Sequence, residues 1–463
     1  MTQKYDFLSI DDVLNQERKD IVNNYKQHVN PGLATLMTLM DFDKIYVKAR
    51  GTRVWDKEGN CYLDFLGGYG SLNLGHNHPA VIEAVESVRE MPNLLQAAIS
   101  PLAGALARNL ALFTEAGLNN TFFCNSGAEA VEGALKLARI VTGRTKIVTT
   151  EGSFHGKTMG ALSVTGRTKY QQWFKPLLAG IVTVPYGDAG ALEETLAAGD
   201  CAAFIVEPVQ GEGGIIIPPA GYLAKARERC SAYGTMLIID EIQTGFGRTG
   251  RNFAYQEEGV KPDILCLAKS LGGGIMPVGA FMTTEKLWKK AYGSLDKCLL
   301  HTSTFGGNAR AMAAGIKTLE IIVKEDLAAK AAEKGAYLLN RLKDLQQKYR
   351  LIKAVRGKGL LIGVEFESGG GLMNTLSGGM LNKFSQEYMG ALVAGELLNR
   401  YRIITAYTLN NPNVIRLEPP LTVSYEELDT VIDGLEKIFS EQKSIAGFAA
   451  KAGKTVLSSL FKK

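Results

Sequence analysis

Through the middle of the chain, short runs of apolar and β-branched residues alternate with longer stretches in which apolar positions recur every third or fourth residue. The short runs are TKIVTT (145–150), GIVTVP (180–185), CAAFIVEP (201–208), TMLIIDEI (235–242) and DILCLA (263–268). They lack the in–out alternation of a half-exposed strand, which predicts parallel strands buried on both faces. Between them AEAVEGALKLARIV and AGYLAKARERCSAYG carry helical spacing, so the pattern predicts an α/β fold with a mostly parallel sheet flanked by helices. From about Lys317 the rhythm changes to charged helices such as LAAKAAEKGAYLLNRLKDLQQKYR, followed by RGKGLLIGVEFE and VIRLEPPL, which read as strands. The predicted organisation is an N-terminal segment (1–75) contributing to a smaller α+β domain, a large domain (76–316), the small C-terminal domain (317–440) and a tail (441–463). The tail places Ile445, Phe448, Ala449, Ala452, Val456 and Leu460 at helical spacing among Lys451, Lys454, Lys462 and Lys463. Such a basic amphipathic helix either packs on its own domain or docks on an anionic membrane surface or acyl carrier. Residues 368–395 form a glycine- and methionine-rich stretch, and there are no internal repeats.

Composition narrows the class. With 463 residues, 46% of them hydrophobic, the chain buries a large core. The 52 basic and 47 acidic residues are interspersed, and a net charge of +5 is too dilute to predict nucleic-acid binding. No apolar run has the length of a signal peptide or membrane span, so the expected location is the cytoplasm. Cys61, Cys124, Cys201, Cys230, Cys266 and Cys298 lack CxxC spacing and mostly lie in apolar strings. They read as buried thiols, not disulfides or metal ligands.

Candidate chemistry falls where predicted strands end, which is where open α/β sheets bind ligands. In FFCNSGAEAVEGALKLAR the residues Asn125, Ser126, Gly127 and Ala128 meet the start of a helix, either a seat for a phosphate or a plain N-cap. Asp240 ends the apolar run TMLII, so it requires a cation or a donor, as a cap, a salt bridge or something more. Lys269 ends DILCLAK and precedes Gly272, Gly273 and Gly274. Burial there lowers an amine's pKa and makes it nucleophilic, the alternative being a surface lysine that snorkels. A phosphate seat, an acid and a lysine at the ends of strands of one sheet match the needs of pyridoxal 5′-phosphate.

The motifs NSGAEAVEGALKLAR, FHGKTMGALS, EPVQGEGG, IIDEIQTGFGRTG, CLAKSLGGGIMP, HTSTFGGN and IRLEPPL, in this order, closely resemble the class III aminotransferases of fold type I. The resemblance runs from GNCYLDFLGGYGSLNLGHNHPAV to IRLEPPL. It implies that Lys269 carries the cofactor as a Schiff base and moves the proton, and that Asp240 pairs with the pyridinium. Phe154 and Ile242 would pack on the two ring faces, and Gln243 would bond the phenolic oxygen. Ser126, Gly127 and Ala128 would hold the phosphate, with Thr304 reaching it from a neighbouring subunit, which implies a homodimer with composite sites, alone or paired into a tetramer. His155 beside Phe154 falls in the cofactor set, as a packed or capping histidine in preference to a general base.

For the substrate the resemblance implies a switch in which Glu212, the second glutamate of EPVQGEGG, masks Arg416 until a carboxylate arrives, the alternative being a static salt bridge. Tyr69 and Lys157 complete the substrate set, and no metal is implied. Relatives acting on ornithine or acetylornithine tend to read FHGRT, whereas this chain has FHGKT and resembles putrescine aminotransferases more closely than those. A lysine keeps the charge but loses the planar fork, the alternative being that Lys157 is an exposed turn lysine with no part in specificity. The expected reaction is therefore transamination of a terminal amine such as putrescine or cadaverine, with 2-oxoglutarate or pyruvate as acceptor. An ornithine or acetylornithine aminotransferase, a transaminase of a hydrophobic long-chain amine or aldehyde, and a cofactor-binding regulator or scaffold are the alternatives.

Overall fold

The computed structural model describes residues 7–95, 97–367 and 389–441; most of the glycine- and methionine-rich stretch (368–388) and nearly all of the basic tail (442–463) lie outside the described residues. Strands β1 (Tyr46–Arg50), β2 (Arg53–Asp56) and β3 (Cys61–Asp64) form an antiparallel N-terminal sheet. The large sheet follows, with β4 (Asn120–Cys124), β5 (Lys146–Thr150), β6 (Ile181–Val184), β7 (Cys201–Val206), β8 (Met236–Asp240), β9 (Ile264–Leu267) and β10 (Gly279–Thr283). Its order is β4-β10-β9-β8-β7-β5-β6. The C-terminal sheet contains β11 (Ile352–Lys358), β12 (Leu361–Phe366), β14 (Ala406–Tyr407) and β15 (Val414–Leu417), while β13 (Ile403–Ile404) pairs in parallel with β3.

The continuous apolar runs behave as strands buried on both faces. In β8, Leu237 and Ile239 enter one core cluster while Ile238 enters another, and in β9 Leu265 and Leu267 separate in the same way from Ile264 and Cys266. Side-chain alternation thus feeds two cores across one sheet. Two expectations change. The run GIVTVP is an edge strand, β6, with Thr183 exposed, because among the described residues no strand pairs beyond it. The sheet also contains β10, antiparallel to both β9 and β4, because the turn after β9 is too short for the crossover that a parallel neighbour needs. Since β4 and β9 share a direction, the carboxyl ends of β4, β5, β7, β8 and β9 all open on one edge.

RGKGLLIGVEFE is not one strand but a hairpin, with Lys358 paired to Leu361 across Gly359 and Leu360. Gly359 adopts φ +54°, in the left-handed region. The helix Leu327–Lys348 crosses this turn at Gly335, where a Cβ would lie 2.0 Å from the Gly359 carbonyl oxygen. Gly335→Ala is therefore expected to destabilise the fold by about 1–3 kcal/mol, because the clash is with backbone; a Tm within error of the parent would refute this contact. Fully buried Arg248 ties the layers together, donating to the carbonyls of Leu360 (2.9 Å) and Pro419 (2.6 Å) and to Asn73 Oδ1 (2.5 Å).

All six cysteines are free; Cys124, Cys201, Cys230 and Cys266 are buried, Cys61 is half-buried and Cys298 exposed. Among the described residues no helix is long and apolar enough to cross a membrane.

Candidate active site

A cavity of about 610 Å³ opens where these strand ends converge. Lys269 sits immediately after β9 in a left-handed conformation, φ +46°, an uncommon state for a residue with a side chain and a mark of an over-determined site. Burial lowers the pKa of its amine, an effect that Glu418 and Glu212 oppose and Arg416 reinforces. Among the described residues no hydrogen-bond acceptor engages this amine. The glycines that follow allow close packing: a Cβ on Gly274 would lie 2.3 Å from Leu72 Cδ2, and one on Gly273 2.7 Å from Thr318 Oγ1.

Asp240 closes β8 with one oxygen on the Ile242 amide (Oδ1, 3.0 Å) and the other 2.7 Å from His155 Nδ1. Both side chains are buried. A carboxylate accepts only, so it selects the His155 tautomer protonated on Nδ1. His155 lines the cavity, but its bonded contact is Asp240. Beside it, Glu207 at the end of β7 accepts from the amides of Phe154 (2.9 Å) and Gly211 (3.1 Å). Burial pushes the Glu207 carboxyl up to about 7, with His155 pulling the other way. It sets the position of Phe154, a function that the sequence did not disclose.

Ser126, also in the lining, caps the helix Gly127–Thr142, its hydroxyl accepting from the Glu129 amide at 3.2 Å. Gly127 and Ala128, the first helical residues, line the cavity. First-turn amides have no intrahelical partners and favour an anion. Ile242 packs so closely here that a Cβ on Gly127 would lie 2.8 Å from its Cδ1. Gln243 also lines the cavity and donates from Nε2 to Glu418 Oε1 at 2.7 Å.

Glu212, Arg416 and Tyr69 do not line this cavity; they form an adjoining cluster. Arg416 on β15 is fully buried, with Glu212 Oε2 2.5 Å from Nη2 and Glu418 Oε2 3.3 Å from Nη1. The Tyr69 ring lies 5.2 Å from the guanidinium, within cation–π range. Burial works against the charge of Glu212, yet Arg416 outweighs it and holds the carboxyl below its ordinary value. Glu212 also accepts from the Leu409 amide at 2.9 Å. Lys157 lines the cavity and sets its Nζ 5.3 Å over the Tyr170 ring. Thr304 lies elsewhere, in a surface depression with Leu94, Leu95, Ile99 and Leu299.

The family described as "Aminotransferase class-III" matches residues 40–439. The chain belongs to the class III aminotransferases. It is similar to the ornithine aminotransferase from Toxoplasma gondii, at 34% identity and a TM-score of 0.82 over 93% of this chain and 96% of that one. An omega-transaminase described as (S)-enantioselective, from Thermomicrobium roseum, matches at 30% identity and a TM-score of 0.81, covering 95% of this chain and 99% of that one. The acetylornithine aminotransferase from Elizabethkingia anophelis matches at 30% and 0.76, covering 92% and 100%. This class III aminotransferase therefore has the type I fold of pyridoxal phosphate enzymes and uses that cofactor. The cavity suits it: a helix N-terminus, a buried carboxylate and an amine held below its ordinary pKa border one space of fitting size.

Sequence reasoning missed Glu418. It lies two positions beyond Arg416 in IRLEPPL, and an acid so close to an arginine among apolar residues was the available signal; both side chains are fully buried.

Proposed function

We propose that this class III aminotransferase removes the amino group of a terminal amine, a diamine such as putrescine or cadaverine, and passes it to a 2-oxo acid, either 2-oxoglutarate or pyruvate. The observation that carries the reading is the masked arginine. With Arg416 fully buried beneath Glu212 and Tyr69, no guanidinium is offered to a carboxylate on the reacting carbon, so a donor lacking one is accommodated. When a 2-oxo acid follows, its carboxylate would displace Glu212 and take the bidentate face of Arg416.

Pyridoxal phosphate supplies the carbonyl that captures the amine and a ring that accepts the released electron pair. Lys269 would hold the cofactor and, once displaced by substrate, move a proton at the reacting carbon. Asp240 would keep the ring nitrogen protonated, with His155 fixing the carboxylate. Gly127 and Ala128, with Ser126, would hold the phosphate, and Phe154 and Ile242 the ring. Thr304 would complete the site of a partner subunit. The exposed apolar Leu94, Leu95, Leu299 and Ile99, the last 98% exposed, surround it, and a patch of this kind favours a dimer.

One observation favours a second reading. Lys157 places a cation in the cavity wall, which could receive the carboxylate of ornithine or acetylornithine. The two separate in a donor panel that follows loss of the cofactor's visible band on adding amine and its return on adding oxo acid. Putrescine and cadaverine are expected to outrun ornithine and acetylornithine, and Lys157→Arg to raise the ornithine to putrescine ratio about tenfold by restoring the planar fork. Ornithine as the faster donor in the parent enzyme would replace the first reading with the second.

A further inference from the structure

Glu418 is bonded to both halves of the site. Its carboxylate is fully buried just past β15, with Oε1 accepting from Gln243 Nε2 at 2.7 Å and Oε2 lying 3.3 Å from Arg416 Nη1. Its own backbone is clamped: the amide donates to the Phe65 carbonyl at 2.8 Å, and Gly67 approaches so closely that a Cβ there would lie 2.3 Å from the Glu418 carbonyl oxygen. A carboxylate accepts and never donates. The Gln243 amide must therefore turn its nitrogen toward Glu418, and its Oε1 takes the side of Gly211, where a Cβ would lie 1.9 Å from that oxygen. Nε2 keeps one further N–H. Arg416 has a parallel need, because a buried cation losing Glu212 without another counter-ion is strongly disfavoured.

We infer that Glu418 is a positioning residue: it fixes the Gln243 amide so that an N–H faces the ring oxygen of the bound cofactor, and it retains Arg416 in place when Glu212 leaves to admit a carboxylate. The inference rests on the roles proposed above for Gln243 and Arg416. It predicts one residue whose loss is felt at two separate readouts.

The first readout is the pH midpoint of the visible absorbance of the cofactor-loaded enzyme. An N–H bonded to the ring oxygen withdraws negative charge from it, so losing that bond favours the protonated form and raises the midpoint. Glu418→Ala is expected to raise it by about one pH unit and to raise KM for 2-oxoglutarate about tenfold. Gln243→Leu is expected to match the first change and leave the KM nearly unaltered. Lys269, Asp240, Glu207, Glu212, Arg416 and Lys157, the other charged groups around the site, are the same in every variant; the Glu418 charge itself favours a protonated Lys269, and Glu418→Ala made in the Gln243→Leu background measures that opposing contribution so that it can be subtracted. Should the alanine variant not fold, Glu418→Leu, which fills much of the same space and offers Gln243 Nε2 no acceptor, carries the test with the same expected directions. If Gln243→Leu moves the midpoint and the Glu418 variants do not, the inference is overturned and the role of Gln243 stands. If neither moves it, Gln243 does not face the ring oxygen and the inference falls with that reading. A Glu418 of merely structural importance would lower Tm and leave the midpoint where it was.

Discussion

Lys269→Ala is expected to lower turnover by about three orders of magnitude or more while leaving the protein at least as resistant to heat as its parent. The first half follows from chemistry, since positioned proton transfer alone is worth about 10²–10⁴ in rate and the same amine is the proposed covalent anchor. The second half follows from burial. Enclosure lowers the amine's pKa from its ordinary value, so below the unfolded pKa the unfolded chain binds the proton more readily than the folded one. Stability then rises with pH through the window between the two values, and at neutral pH the lysine opposes folding. Alanine removes that opposition, and it also permits no covalent cofactor band. The measurement pairs single-turnover kinetics with a thermal melt of the cofactor-free forms. A variant that kept full activity would end the assignment of Lys269, whereas an inactive variant that melted well below its parent would show that packing around the lysine stem outweighs the cost of enclosing its amine.

Asp240→Asn is expected to reduce kcat by about 10²–10³, the range found when one preorganised electrostatic partner of a developing charge is removed. The substitution keeps the shape of the side chain. It removes the charge, and the amide nitrogen meets either the Ile242 N–H, which it cannot bond, or His155 Nδ1, which accepts only if the imidazole changes tautomer. Asp240→Glu is expected to recover part of the loss, since it restores the charge with imperfect reach. Equal activity for the asparagine and parent enzymes would exclude Asp240 as the partner of the ring nitrogen.

Much of this was legible along the chain, for physical reasons. Strands β5, β7, β8 and β9 announce themselves because burial on both faces requires uninterrupted apolar runs. Lys269 and Asp240 stand out because each breaks such a run at its end. The strand β10 does not stand out, since it begins at Gly279 directly beyond the glycine-rich turn and reverses direction, which no periodicity records. The hairpin across Gly359 was hidden because its turn is two residues long and β11, with one buried residue, carries no apolar run. His155, Glu207 and Glu418 act through partners distant in sequence, Gln243 lying 175 positions from Glu418, and a one-dimensional pattern holds no trace of such pairs. Thr304 belongs to a different difficulty: its proposed role lies in another subunit's site.

The residues proposed for bond making and those proposed for substrate choice stand on different scaffolds. Lys269 and Asp240 are rooted in the large sheet, whereas Arg416 and Glu418 come from β15 and the residue beyond it in the C-terminal sheet. The two sets are bonded to one another through Glu212 with Arg416 and Gln243 with Glu418. Substitutions in β14 and in the loop to β15 that spare Arg416 and Glu418 can therefore re-aim the gate toward new donors, and a laboratory library confined to them would explore specificity without replacing Lys269 or Asp240.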